Sequence, residues 1–157
     1  RSINAQPVYT LQLPHGTTES SKPVKTHLDE INFAVKPDSS SKWTLGITVD
    51  PVRIATLTEF GSPEQVAAKV VLAEVNRDGV TDVTLLQDPA VIRDGVTTYY
   101  QLEYLSVGKR GKHTVCKIGI VDQRLYVVQA QAKEDVWSDV SASVFSTLHS
   151  FGILASK

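Results

Sequence analysis

The residues with the clearest capacity for chemistry lie in a short basic stretch, residues 108–112, and in the segment that follows it. Lys109, Arg110 and Lys112 alternate with glycines here. His113 comes next, and Lys117 lies four residues further on. Four roles suit such a corner: a grip on phosphate or nucleic acid, a metal site, a docking patch for an acidic partner, or a solvated turn.

The composition of the chain weighs against nucleic acid. The net charge is −1 and the pI is about 6.5, whereas nucleic-acid-binding domains are usually basic overall. The cluster is also too short to follow a phosphate backbone, and no aromatic residues interleave it to stack on bases. Docking onto an acidic protein and a solvated turn both remain open, with Lys109, Arg110, Lys112 and Lys117 as the candidate contacts. Docking of this kind would weaken as salt rises.

His113 is a candidate metal ligand because of the strand that follows its own. In an antiparallel meander the end of the segment LYVVQAQAKED approaches the start of the His113 strand, which brings Glu134 or Asp135 near the imidazole. An imidazole and a carboxylate can hold a divalent ion weakly when waters complete the shell. The alternative is a surface His–Glu contact without a metal.

Catalytic signatures are missing from the sequence. It contains no G-x-S-x-G elbow, no phosphate-binding glycine loop and no H-E-x-x-H pair, and its four histidines are scattered. Cys116, the single cysteine, lies in an alternating apolar run and is expected to fill the core. No run approaches eighteen apolar residues, so no membrane span is expected. We therefore expect no enzyme and no tightly bound cofactor.

The elements that must position these residues can be read from hydrophobic spacing. Residues 31–35 and 43–49 alternate as strands, and Ser62, Pro63 and Gln65 predict a capped helix start. Four strands separated by short turns follow, the first broken by Pro89 and then closed by the Asp94–Gly95 hairpin signal. A final helix is expected over residues 134–151, where apolar residues recur every three or four positions.

This order predicts an α+β fold with a central antiparallel sheet flanked by helices on both faces, an αβα sandwich. We expect residues 1–30 to form an extended, mobile segment and residues 31–157 to form a single domain. The chain contains no methionine, so a leader peptide is expected to have been removed.

Three stretches, TLTEFGSPEQVAAKV, DGVTTYYQLEYLSV and GKHTVCKIGIVDQRLYVVQAQAKEDVW, together resemble segments of one known family. It is the PsbP family, which comprises the extrinsic oxygen-evolving-complex protein of photosystem II and its PsbP-like and PsbP-domain relatives. The stretch TLTEFGSPEQVAAKV is similar to the family's lead-in to the first helix, and DGVTTYYQLEYLSV resembles its double-tyrosine strand. The stretch GKHTVCKIGIVDQRLYVVQAQAKEDVW is similar to its glycine-lysine-histidine segment. The three matches follow in order within residues 43–151.

The resemblance implies a sheet flanked by helices of the PsbP and Mog1 type, and a protein of the thylakoid lumen that is peripheral to the membrane. It implies a non-enzymatic role on the lumenal face of photosystem II, supporting oxygen evolution and retention of manganese, calcium and chloride. Other members of the family assist assembly, or belong to the chloroplast NADH-dehydrogenase-like complex or to photosystem I assembly. A manganese carrier is a further alternative.

Residue by residue, His113 matches the histidine that the family uses for manganese or zinc, and Glu134 stands where the family has an aspartate. Weak binding of manganese, zinc or calcium is therefore implied. The loop before His113 is shorter than in the family and basic instead of acidic. The part before Trp43 matches poorly. A PsbP-like paralogue is thus as compatible with the sequence as the main photosystem II subunit.

Overall fold

Alternating apolar side chains assemble eight strands of this chain into one antiparallel sheet. The structure, a computed structural model, describes residues 8–20, 26–109 and 111–154. Within them the elements are β1 Tyr9–Thr10, β2 Thr17–Ser20, β3 Asp29–Val35, β4 Trp43–Pro51, α1 Leu57–Phe60, α2 Pro63–Val75, β5 Asp82–Leu85, β6 Ala90–Asp94, β7 Thr97–Val107, β8 His113–Val121, β9 Arg124–Ala132, α3 Glu134–Ser150 and β10 Gly152–Ile153.

The main sheet has the strand order β2-β3-β4-β9-β8-β7-β5, with β6 also pairing with β7, and every neighbouring pair is antiparallel. The meander of β7, β8 and β9 agrees with the prediction from short turns. The pairing of β9 with β4 joins this meander to the first hairpin, and local turn signals do not reveal it. β1 and β10 form a separate two-stranded pair.

Each face of the sheet carries its own core, because successive side chains of a strand point to opposite faces. Val115 of β8 packs with Val140, Val144 and Leu148 of α3. Cys116, its neighbour in sequence, packs in the second cluster, with Val66 and Ala67 of α2. The predicted αβα sandwich is therefore confirmed. Burial raises the pKa of the Cys116 thiol to about 12, so this residue is the expected core filler and not a nucleophile.

Local sequence signals account well for the turns and for α2. The Ser62 hydroxyl accepts from the Gln65 backbone N–H, and the Gln65 side chain accepts from the Ser62 N–H, which completes the predicted capping box. Gly95 adopts a φ of 61° in the β6–β7 turn, a conformation that glycine tolerates without strain. Asp122 and Gln123 both have positive φ in the turn between β8 and β9.

Three features of the fold were not expected. The helix α1 has four residues, too few to show a helical period. The strand β2 lies in a polar stretch of the segment that was expected to be extended and mobile. Its sequence shows no strand pattern, because it pairs with β3 through its backbone and buries little side-chain surface. The pair of β1 with β10 is the third, and Tyr9 of β1 packs against Tyr126 and Phe151. Both β1 and β2 thus lie within residues 1–30, which were expected to form an extended, mobile segment before the domain.

The structure corrects the prediction that Lys117 contacts a partner. The Lys117 side chain is buried on the face of the sheet that α3 covers. Its amine donates to the carbonyl oxygens of Leu148 and Phe151, at 3.0 and 2.9 Å, and lies 4.5 Å from the centre of the Tyr99 ring. Alternation along β8 places Lys117 on the same face as Val115, and a cation suits the C-terminal end of a helix. Burial lowers the pKa of this amine, and Asp94 opposes that shift.

We expect Lys117→Ala to reduce the free energy of unfolding by about 2–4 kcal/mol, because two helix-terminal carbonyls lose their donor and a gap opens under α3. Urea unfolding followed by circular dichroism measures this. Lys109→Ala is the control, since Lys109 is exposed and should change stability by less than about 0.5 kcal/mol. Equal stabilities for the two variants would contradict a structural role for Lys117.

Candidate functional site: the His113 cluster and the basic end

The site forms at the end of the sheet where β8 begins, β9 ends and α3 begins. His113 is the first residue of β8 and pairs in register with Ala132, next to the start of α3. Both β8 and α3 begin at this end of the sheet. His113 therefore lies near the N-terminus of α3, and Lys117, further along β8, lies near its C-terminus. One strand thus supplies a polar contact to each end of the helix.

The His113 ring lies between two carboxylates. Its Nδ1 is 2.8 Å from Oε2 of Glu134, and its Nε2 is 2.6 Å from Oε2 of Glu103. The ring also stacks on Trp137 of α3, with the centroids 3.6 Å apart and the planes 12° from parallel. A neutral imidazole has one N–H, so both contacts are donor bonds only when the ring carries two protons and a positive charge. His113, Glu103 and Glu134 form the His113 cluster.

The predicted proximity of His113 and Glu134 is present in the structure. No group of three histidine, cysteine, aspartate or glutamate residues in the described ranges is arranged to hold a metal ion. In the His113 cluster each ring nitrogen already faces a carboxylate oxygen, so a metal would have to displace one of these contacts. The metal role of His113 and Glu134 stays a prediction.

Sequence reasoning missed two members of this environment. Glu103 lies on β7 opposite Val115, which makes it a diagonal neighbour of His113 across the β7–β8 pair. Only the register of that pair identifies it. Trp137 follows Glu134 by three residues on α3, a spacing that places two side chains on one helix face. That spacing was visible in the sequence and could have indicated the stacking partner.

The predicted basic corner is partly in place. Lys109 is exposed, Lys112 is half-buried, and Arg110 lies outside the described residues. Lys112 lines a cleft at this end of the sheet. Three further lysines, which sequence reasoning did not connect with Lys112, line it too. We call the four cleft lysines together with Lys109 the basic end: Lys36, Lys42, Lys109, Lys112 and Lys133.

These lysines come from the β3–β4 turn, the β7–β8 turn and the junction of β9 with α3. None of them forms an ion pair with another residue in the part of the chain that the structure describes. A chain with a net charge of −1 therefore has an excess of lysines at one end, beside the two aspartates, Asp38 and Asp135, that line the same cleft. Such a patch attracts anionic surfaces and raises association rates at low salt.

The opposite end of β4 carries an acidic contact instead. Nδ1 of His27 lies 2.9 Å from both carboxylate oxygens of Asp50, and its Nε2 lies 3.6 Å from Glu30. No helix in the described residues is long and apolar enough to cross a membrane.

The comparisons with known proteins agree with this fold. The sequence matches the PsbP family profile over residues 3–153. It is 28% identical over 125 residues to PsbP domain-containing protein 7, chloroplastic, of Arabidopsis thaliana, covering 76% of this chain and 44% of that protein. It is 29% identical over 155 residues to PsbP domain-containing protein 2, chloroplastic, of the same plant, covering 93% of this chain and 62% of that protein. The chain thus spans about half the length of these relatives.

Two solved structures share the fold. The solution structure of cyanobacterial PsbP (CyanoP) from Synechocystis superposes with a TM-score of 0.73 at 18% identity, covering 93% of this chain and 86% of that one. The Ran-binding protein Mog1p of Saccharomyces cerevisiae superposes with a TM-score of 0.56 at 14% identity, covering 94% and 90%. The resemblance read from the sequence is confirmed: the chain belongs to the PsbP family.

Proposed function

We propose that this chain is a non-enzymatic extrinsic subunit of the thylakoid lumen that docks onto a membrane protein complex through its basic end. Photosystem II is the favoured partner, and the role there is to support oxygen evolution and the retention of manganese, calcium and chloride. The observation that carries the proposal is that five lysines, none of which forms an ion pair within the described residues, converge at one end of the sheet in a member of the PsbP family.

A chloroplast location is supported by two relatives named as chloroplastic proteins, and the lumen within it is part of the proposal. Those relatives are PsbP domain-containing proteins, which keeps the alternative roles in assembly, in the NADH-dehydrogenase-like complex or in photosystem I assembly as the runner-up. A non-catalytic role agrees with the chemistry of the described residues. Cys116 is buried with a raised pKa, and both ring nitrogens of His113 are engaged.

A docked surface rich in lysine should release as salt rises, because the contacts are solvent-exposed and easily screened. Replacing Lys109 and Lys112 together by glutamine should weaken binding to salt-washed thylakoid membranes about tenfold and flatten its salt dependence. Co-sedimentation of the purified protein with the membranes, over a series of sodium chloride concentrations, measures both effects.

The matched control is Arg53→Gln with Arg93→Gln. This variant removes the same charge, but Arg53 follows the far end of β4 and Arg93 pairs near the far end of β7. It should bind like the parent. Unchanged retention of the Lys109 and Lys112 variant would show that the basic end is not the contact, and equal losses in both variants would indicate attraction by overall charge only.

The second candidate function, a manganese carrier, is favoured by the contact between His113 and Glu134. If it operates, Mn²⁺ binds by displacing one carboxylate from the ring, so affinity should be weak. Both His113→Ala and Glu134→Gln should then reduce the affinity about tenfold or more. Isothermal titration calorimetry with Mn²⁺ measures it.

Asp135→Asn is the control for this experiment, because Asp135 is the adjacent exposed carboxylate and forms no contact with His113 in the described structure. Its affinity should equal that of the parent. A His113→Ala variant that binds Mn²⁺ as tightly as the parent would eliminate the carrier function at this site.

A further inference from the structure

A cleft of about 510 Å³ lies within the basic end, between the β3–β4 turn, the start of β8 and the N-terminus of α3. Its volume falls in the range of small-ligand sites. Four lysines line it: Lys36, Lys42, Lys112 and Lys133. The cleft is therefore a basic cavity of ligand size and not only a charged convex surface.

Trp43 supplies an independent observation. Its side chain lines the cleft and is only 1% exposed, and its indole N–H has no hydrogen-bond partner among the described residues. A buried donor without an acceptor destabilises a fold by about 1–3 kcal/mol, which makes such groups rare unless a ligand or water serves them. Trp43 thus places an unsatisfied donor in the wall of the cleft, and because the nitrogen itself is enclosed, an acceptor in the cleft reaches this hydrogen only when that wall moves.

The third contribution comes from α3. This helix of 17 residues begins at Glu134, its N-cap residue Lys133 provides no side-chain cap, and its first turn carries Glu134 and Asp135. Lys133 also lines the cleft. The first N–H groups of an uncapped helix and its dipole favour an anion near this end. Lysine charges and a helix N-terminus thus meet at one cavity, where both favour a bound oxyanion, and an unsatisfied indole donor lies in its wall.

Two aspartates also line the cleft and set its charge balance. One carboxylate oxygen of Asp38 accepts three hydrogen bonds, from the backbone N–H groups of Ser40 and Ser41 and from the Ser40 hydroxyl. These bonds lower the pKa of Asp38 and hold the carboxylate within its own turn. Asp135 is the other, in the first turn of α3. Four lysines against two aspartates leave two excess positive charges.

We propose that this cleft binds a small molecule through a phosphate group. A phosphate monoester carries a charge of about −1.5 to −2 at pH 7 and offers three acceptor oxygens, so one group can neutralise the excess charge and serve several donors together. A single carboxylate has half that charge and two oxygens. The inference goes beyond docking, since docking requires only exposed positive charge.

The test uses the two tryptophans of the chain, Trp43 and Trp137, which give two indole N–H signals in a nitrogen-15 correlation spectrum. Titration with inorganic phosphate and then pyrophosphate at low ionic strength should move the Trp43 signal. Sodium chloride at matched ionic strength should leave it in place. Trp43→Phe assigns the signal, while Trp137 is the internal reference because it does not line the cleft.

Lys42→Gln and Lys133→Gln should each weaken phosphate binding about three- to tenfold, while Lys69→Gln, on α2, should not change it. These variants keep the test valid even if Trp43→Phe folds poorly. A Trp43 signal that moves with neither phosphate nor pyrophosphate would overturn the proposal. If the signal moves with a glutamate hexapeptide but with neither inorganic phosphate nor pyrophosphate, the proposal is also overturned. The cleft would then bind acidic segments of a docking partner.

Failure here can be told apart from failure of the proposed function. The phosphate titration uses the isolated protein and the lysines Lys42 and Lys133, whereas the membrane assay changes Lys109 and Lys112. If the protein binds the membranes but its Trp43 signal does not move with phosphate, only the proposed ligand site is refuted.

Discussion

The pairing of β9 with β4 is the interaction on which the rest of this structure depends. It joins the hairpin of β3 and β4 to the meander of β7, β8 and β9, and so makes one sheet from two parts of the chain. That sheet then has two buried faces, each covered by one helix. The same pairing brings the β3–β4 turn beside the junction of β9 with α3, which places lysines distant in sequence around one cleft.

The helix α3 is held at both ends by side chains of β8. His113 contacts Glu134 in the first turn and stacks on Trp137, while Lys117 donates to the last carbonyls. Between these polar contacts, Val140, Val144 and Leu148 provide the apolar contact with the sheet. Two residues that look like surface chemistry in the sequence therefore fix the position of a helix. The buried positive charge of Lys117 is tolerated because carbonyl oxygens and aromatic faces replace its water.

Family membership and local chemistry contribute different parts of the functional conclusion. The family profile and the CyanoP structure establish what kind of domain this is. The relatives, which are 28% and 29% identical and each longer than this chain, are named for their PsbP domain and not for a partner complex. The unneutralised lysines and the orphaned indole donor of Trp43 belong to this chain. They support an attachment surface that also contains a ligand-sized cavity, with the His113 cluster bracing the helix beside it.

The sequence by itself determined the fold class, the capped start of α2, the hairpin at Asp94, the burial of Cys116 and the approach of His113 to Glu134 or Asp135. These depend on spacing within one element or between adjacent strands, where the chain connectivity leaves few alternatives. Tertiary structure alone decided that Lys117 is buried, that Glu103 completes the histidine contact, and that Lys36, Lys42 and Lys133 join Lys112. The residue type alone does not indicate whether a lysine side chain is exposed to water or buried at a helix end. The difference lies in strand register and helix placement, which are set by contacts between residues far apart in the chain.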